Sequence, residues 1–170
     1  LKNANIALQI FKEINFKPGI ADAYWEIGGI YTTDEVIPES LNNLFTALKL
    51  YEELGDKRQA AWTLSLIGFD YYWQEDFSHS LTAYMNALKL FKETRPSSGY
   101  NCYVYIAKIY KIQKKYKEAS AYDSIGLKMS IERGDILTAA IAYVCMGDIL
   151  ATRMTEDSVF RKSSKQVLFF

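Results

Sequence analysis

Ala47-Leu48-Lys49-Leu50-Tyr51 has a near copy forty residues away on each side, Ala7-Leu8-Gln9-Ile10-Phe11 and Ala87-Leu88-Lys89-Leu90-Phe91. Two further series hold the same register. Gly28, Gly68, Ala107 and Gly147 recur every 39 or 40 residues, and Tyr31, Tyr71, Tyr110 and Leu150 follow them three positions later. Three columns in one register make the chain an internal repeat, and a fixed period of this length is the mark of stacked supersecondary units.

Each unit carries two helical patterns. From Arg58 to Tyr72 the apolar residues Ala61, Leu64, Ile67, Gly68 and Tyr71 recur at spacings of three and four, one face of a helix. From Ser80 to Phe91, Leu81, Tyr84, Ala87, Leu88 and Phe91 do the same. Trp73 to Phe77 forms the turn between them, and Ser78 is expected to cap the second helix by accepting from its unpaired amides. Pro18 and Pro96 precede first helices, Pro38 opens a second helix, and Gly55-Asp56 and Gly134-Asp135 close second helices in the left-handed conformation that glycine tolerates.

The columns have a steric reason. Where two antiparallel helices cross closely, one must present almost no side chain. Gly28, Gly68, Ala107 and Gly147 meet that need on first helices, and Ala7, Ala47, Ala87 and Gly126 on second helices. Glycine within a helix costs about 1 kcal/mol relative to alanine, so its recurrence in register requires a packing gain. The tyrosine column then fills the wider gap between successive hairpins, its hydroxyl at an edge.

At these columns the sequence resembles the tetratricopeptide repeat. The second unit matches with Leu64, Ile67-Gly68, Tyr71, Ser80, Tyr84 and Ala87, and the first with Tyr24, Ile27-Gly28, Tyr31, Ser40, Leu44 and Ala47. The third gives Tyr103, Ile106-Ala107, Tyr110, Ala119 and Gly126, with Asp123 in place of an aromatic, and a fourth first helix follows with Tyr143, Met146-Gly147 and Leu150. The period is longer than the common 34 residues and looks like the 40-residue variant of the family. The resemblance implies an all-α, right-handed α-solenoid of stacked antiparallel helix hairpins. Its expected domain covers residues 1–152, as a partial repeat (1–17), repeats 18–57, 58–98 and 99–135, and a partial repeat (136–152). Residues 153–170 are expected as an atypical cap or a truncation point, because Val159, Ser163 and Gln166 miss the columns and Val167-Leu168-Phe169-Phe170 is an apolar end.

In the resembled family, first helices line a concave groove. The corresponding exposed positions are Asp22, Trp25, Gly29, Thr32 and Thr33 in the first unit, and Trp62, Ser65, Phe69, Tyr72 and Trp73 in the second. In the third they are Asn101, Val104, Lys108, Lys111 and Ile112. All three tryptophans fall in this set, and large surface aromatics dominate binding hot spots. The implied function is a protein–protein interaction scaffold taking a peptide segment with apolar anchors, with Lys108 and Lys111 holding an acidic group. The set lacks the Lys/Asn/Arg clamp by which chaperone-docking members grip a terminal carboxylate. Tyr122-Asp123-Ser124 resembles bacterial versions in larger signalling or regulatory proteins. Two other roles compete: a small-ligand or glycan receptor using the aromatic groove, and an assembly module that forms a homodimer through the ends.

Composition sets limits of its own. The 170 residues balance 20 Lys and Arg against 20 Asp and Glu, so the chain offers no net basic surface for nucleic acid. Cys102 and Cys145, both in apolar helical stretches, suggest neither a disulfide framework nor a metal site. The longest apolar run, Ile136 to Gly147, falls short of the about 20 residues a membrane span needs. His79, the one histidine, has no second histidine or reactive thiol with which to build a triad or metal centre, so no catalytic residue, metal or cofactor is expected. The chain opens at Leu1 without a basic, apolar leader and reads as a piece of a longer or processed protein, which leaves the compartment open between cytoplasm and periplasm.

Overall fold

The computed structural model describes residues 1–167, with side chains through Thr155, and the described residues form eight α-helices and no strand. In chain order these are α1 (Lys2–Glu13), α2 (Lys17–Thr33), α3 (Ile37–Leu54), α4 (Lys57–Trp73), α5 (Phe77–Thr94), α6 (Tyr100–Ile112), α7 (Tyr116–Arg133) and α8 (Ile136–Val167). The fold is an all-α helical-repeat solenoid. Its contacts fall into two compact units, one from Leu1 to Cys102 and one beginning at Tyr103.

In the first unit, α2 pairs with α3 and α4 with α5. The crossings sit at the glycine column. A Cβ on Gly28 would stand 2.7 Å from Leu44 Cγ and Cδ2 and 3.3 Å from the Leu44 backbone nitrogen, and one on Gly68 would stand 3.0 Å from the Tyr84 ring. The small residue near the start of each second helix completes the joint, since Ser40 Oγ lies 3.0 Å from the Gly28 carbonyl and Ser80 Oγ donates to the Gly68 carbonyl at 2.7 Å. Leu44, Ile67 and Ala83 form one buried cluster, and Ala21, Ala47, Tyr51 and Ala60 another.

The turns alternate in type. Gly55 ends α3 at φ 71°, and Asp56 immediately caps α4, accepting from the Gln59 amide at 3.0 Å. At the other end of the hairpins Glu35 and Glu75 take positive φ of 60° and 59°. Asp76, not Ser78, caps α5 by accepting from the His79 amide at 3.2 Å. Its carboxylate starts from the residue just before the helix and reaches the third amide, as a cap requires, whereas Ser78 already lies inside the first turn.

In the second unit, Ala107, Ala119, Cys145 and Ile149 form the core, closed by Tyr110, Tyr116 and Tyr122. Gly134, at φ 71°, and Asp135 repeat the Gly-Asp turn, Asp135 accepting from the Thr138 amide and hydroxyl. From Ile136 onward the expectation changes. α8 runs past Thr152 without a turn, and among the described residues no second helix folds back onto it. Gly147 therefore marks no crossing: nothing lies within 4 Å of where its Cβ would be. Tyr143 and Leu150, from the aromatic and tyrosine columns, are largely exposed. α8 buries one stripe, Ala139, Ala142, Cys145 and Ile149.

Because α8 is continuous, its stretch Ile136–Thr155 is long and apolar enough to cross a bilayer by length and composition, longer than the run read from sequence, and 22% of its apolar window is buried. Asp148 interrupts it and pairs with Lys111 at 2.7 Å. Of the expected apolar end Val167-Leu168-Phe169-Phe170 only the Val167 backbone is described, and the side chains of Val159, Ser163 and Gln166 lie outside the described residues.

Candidate functional site

The first unit has a cavity of about 540 Å³ where the C-terminal ends of α2 and α4 meet the start of α3. Thr32 and Thr33 line it from α2, Phe69 and Trp73 from α4, and Glu35 and Ile37 from the turn into α3. The size falls in the range of ordinary ligand pockets, about 300–1,000 Å³. Phe69 and Trp73 stand one helical turn apart, edge to face with centroids 5.9 Å apart at 72°, and Tyr72 extends the aromatic surface at 6.0 Å from Trp73. Trp73 is 61% exposed. A large indole left in water beside a cavity is surface that a partner can desolvate.

The wall is anchored from beneath by a buried polar network. Thr32 Oγ1 lies 2.7 Å from Ser40 Oγ, and Ser40 Oγ lies 2.5 Å from Asp70 Oδ2. Asp70 is fully buried, and burial pushes its carboxyl above the usual carboxylate range although the Ser40 and Thr32 hydroxyls pull the other way. Ser40 has one proton and three acceptors in reach, the Gly28 carbonyl, Asp70 and the Thr32 hydroxyl oxygen. The network ties α2, α3 and α4 together behind Thr32.

The sequence-derived positions separate by role. Thr32, Thr33, Phe69 and Trp73 come together around the cavity. Asp22 accepts from the Tyr51 hydroxyl at 2.7 Å, a link between α2 and α3, and burial together with this bond raises the Tyr51 phenol. Trp25 packs on both core clusters and is part of the interior. Trp62 lies edge-on to the buried Phe91, centroids 4.9 Å apart. Ser65 is buried and accepts from Asn101 Nδ2 at 3.0 Å, so these two hold helices together. Gly29 has open space around it.

In the second unit, Lys108 and Lys111 line a cavity of about 340 Å³ with Ile141, Val144 and Asp148. The Lys108 ammonium lies 4.9 Å from the Tyr105 ring centroid, and Lys111 is paired with Asp148. Beneath them, burial pushes the fully buried Asp123 carboxyl up to about 6, against the Cys145 thiol and the Lys111 charge. Both cysteines are free and buried, and burial pushes each thiol up to about 12. The His79 ring stacks on Tyr71, with Nδ1 2.7 Å from Asp76 Oδ2. No group of three metal-ligating side chains occurs among the described residues.

Sequence reasoning missed Glu35 and Ile37. Glu35 lies in the turn and Ile37 opens α3, both beyond the first-helix positions that a helix-face rule reaches. The signal available was charge: from Pro18 to Leu48 there is no Lys or Arg, while Asp34, Glu35 and Glu39 surround the turn.

The family described as SNAP, soluble NSF attachment protein, matches residues 4–165. Among solved structures, BtubC (BKLC) from P. vanneervenii superposes with a TM-score of 0.67 at 14% identity, covering 96% of this chain and 74% of that one. At that identity the likeness is one of fold. No curated protein matches the chain.

Proposed function

This chain belongs to the soluble NSF attachment protein family, and we propose that it acts as a protein-binding scaffold, seating a segment of a partner protein in the cavity walled by Thr32, Phe69 and Trp73. One observation carries the reading: an exposed tryptophan and its edge-on phenylalanine open onto a cavity of peptide-anchor size on a rigid helical frame. Rigid aromatics lose little conformational freedom on binding, which is why they make anchors. The family's description as an attachment protein agrees with a role in holding another protein. The reading involves no catalysis. The thiols are buried and unreactive near neutral pH, and the one imidazole is held against Asp76. It also takes residues 1–152 as one repeat domain of the 40-residue type, supported by the spacing of the glycine and tyrosine columns, and places it within a larger bacterial signalling or regulatory protein on the resemblance at Tyr122-Asp123-Ser124 alone.

Panning a displayed random-peptide library against the chain tests this. Selected peptides should lose about tenfold or more in affinity on Phe69→Ala or Trp73→Ala, as hot-spot truncations do. Trp62→Ala should lower stability, because Trp62 packs on Phe91, and spare the affinity of the protein that remains folded. Peptides whose binding ignores both Phe69→Ala and Trp73→Ala would overturn the assignment of the cavity.

A further inference from the structure

We infer that the segment seated in this cavity is basic, anchored by an arginine or lysine that lies over Trp73 and pairs with Glu35. The inference rests on the cavity being the binding site and adds the chemistry of the partner.

The first unit is polarised although the whole chain is neutral. Lys and Arg are absent from Pro18 to Leu48 and again from Gln59 to Leu88. Those two stretches contain the turn from α2 to α3 and the turn from α4 to α5. The turns carry Asp34, Glu35 and Glu39, and Glu75 and Asp76. Their one group able to become cationic, His79, already faces Asp76. Apart from Lys2, at the start of α1, the unit's lysines lie toward the opposite ends of its helices, where Lys17 pairs with Glu53 at 2.5 Å and Lys57 with Glu93 at 2.9 Å. Asp34, Glu35, Glu39 and Glu75 make no ion pair among the described residues.

Glu35 is the charged residue of the cavity lining. The C-terminal ends of α2 and α4 reach the same place with no basic residue in their last turns, and the positive N-terminal end of α3, which also starts there, is offset by Glu39 in its first turn. A cation is favoured on each count. Trp is the best of the aromatic faces for a cation, and Trp73 is exposed beside the acid. Thr33 offers a further hydroxyl oxygen at the rim. A neutral apolar anchor would use the aromatic wall and leave the acidic rim without a role; a basic segment uses both.

Isothermal titration at low salt, with a short acetylated and amidated leucine-rich peptide, separates the possibilities. It is made in three versions whose central residue is arginine, its uncharged isostere citrulline, or glutamate. The arginine version should bind about 3- to 30-fold tighter than citrulline, the combined size of a surface ion pair and an exposed cation–π contact, with the glutamate version weakest. The preference should shrink at high salt and fall on Glu35→Gln or Trp73→Leu. Equal binding of the arginine and citrulline versions, still abolished by Phe69→Ala, would overturn the basic partner and leave the cavity as the site. An arginine preference untouched by Glu35→Gln and Trp73→Leu would place the basic peptide elsewhere. Failure of all three versions to bind would overturn both readings.

Discussion

Asp123 occupies in α7 the position that Leu44 holds in α3 and Tyr84 in α5, the side chain that meets the small residue of the first helix. It is fully buried, and the donor beside its carboxylate is the weak Cys145 thiol. Burial raises its pKa to about 6, with Lys111 and Cys145 beside it opposing the shift, while in the unfolded chain an aspartate titrates near 3.9. Between those values the folded state holds a proton that the unfolded state has lost. This residue's contribution is therefore most favourable below about pH 4, falls as pH rises toward 6, and stays low above it. The difference is on the order of 2–3 kcal/mol. Asp123→Asn mimics the protonated form, so urea denaturation should find the variant more stable than its parent at pH 7.5 and the two equal near pH 4. Equal stability at both would mean that the carboxylate is solvated. Comparing variant with parent removes the opposite trend of Asp76, Glu53 and Glu93, whose pKa values are lowered by their partners. The substitution was visible in sequence as a departure from the column. That it is buried was not, because burial depends on α8 lying across it.

At the scale of elements, the adjacent pair Gly28 and Gly29 separates packing from propensity within one helix. Gly28 faces Leu44 at a distance no real Cβ shows, and part of the obstruction is the α3 backbone nitrogen at 3.3 Å. Gly28→Ala must push α3 away or distort Leu44, and overpacking of this kind costs about 1–3 kcal/mol. Gly29 meets nothing within 4 Å, so Gly29→Ala should gain up to about 1 kcal/mol of helix propensity. Thermal or urea unfolding of the two variants should move in opposite directions. A stable Gly28→Ala protein would refute the crossing as the reason for the column. The column was legible because its cause recurs in each hairpin, and the Gly-Asp turns were legible because only a few residues tolerate positive φ. Less was legible where the cause is tertiary. Gly147 satisfied the pattern but meets no returning helix among the described residues, and the positive φ of Glu35 and Glu75 has no marker in residue type. The candidate site divides along the same line. Phe69 and Trp73 followed from helix-face spacing, whereas Trp62 and Ser65 obeyed the same spacing yet serve the interior through Phe91 and Asn101.

For the whole molecule, a repeat fold whose units touch only their neighbours distributes stability by position along the chain, each helix held by what lies beside it. In α4, Ala60, Ala61, Thr63, Ser65, Ile67, Gly68 and Asp70 are buried, spread around most of the helix apart from the face that carries Phe69 and Trp73. In α1 only Ala4 is. α8 shows Ile136, Leu137, Val144 and Met154 at 82%, 73%, 65% and 72% exposure. Local opening requires breaking only the contacts a helix makes, so opening energies should be near the global value in α4 and well below it in α1 and α8. Native-state hydrogen exchange should then show mid-helix amides of α8 exchanging at least about tenfold faster than those of α4, a difference of about 1.4 kcal/mol or more. The fast exchange should be independent of protein concentration. Protection in α8 as strong as in α4 would contradict the picture of a one-sided helix, and would mean that the Ile136–Met154 face is covered in solution by something other than water.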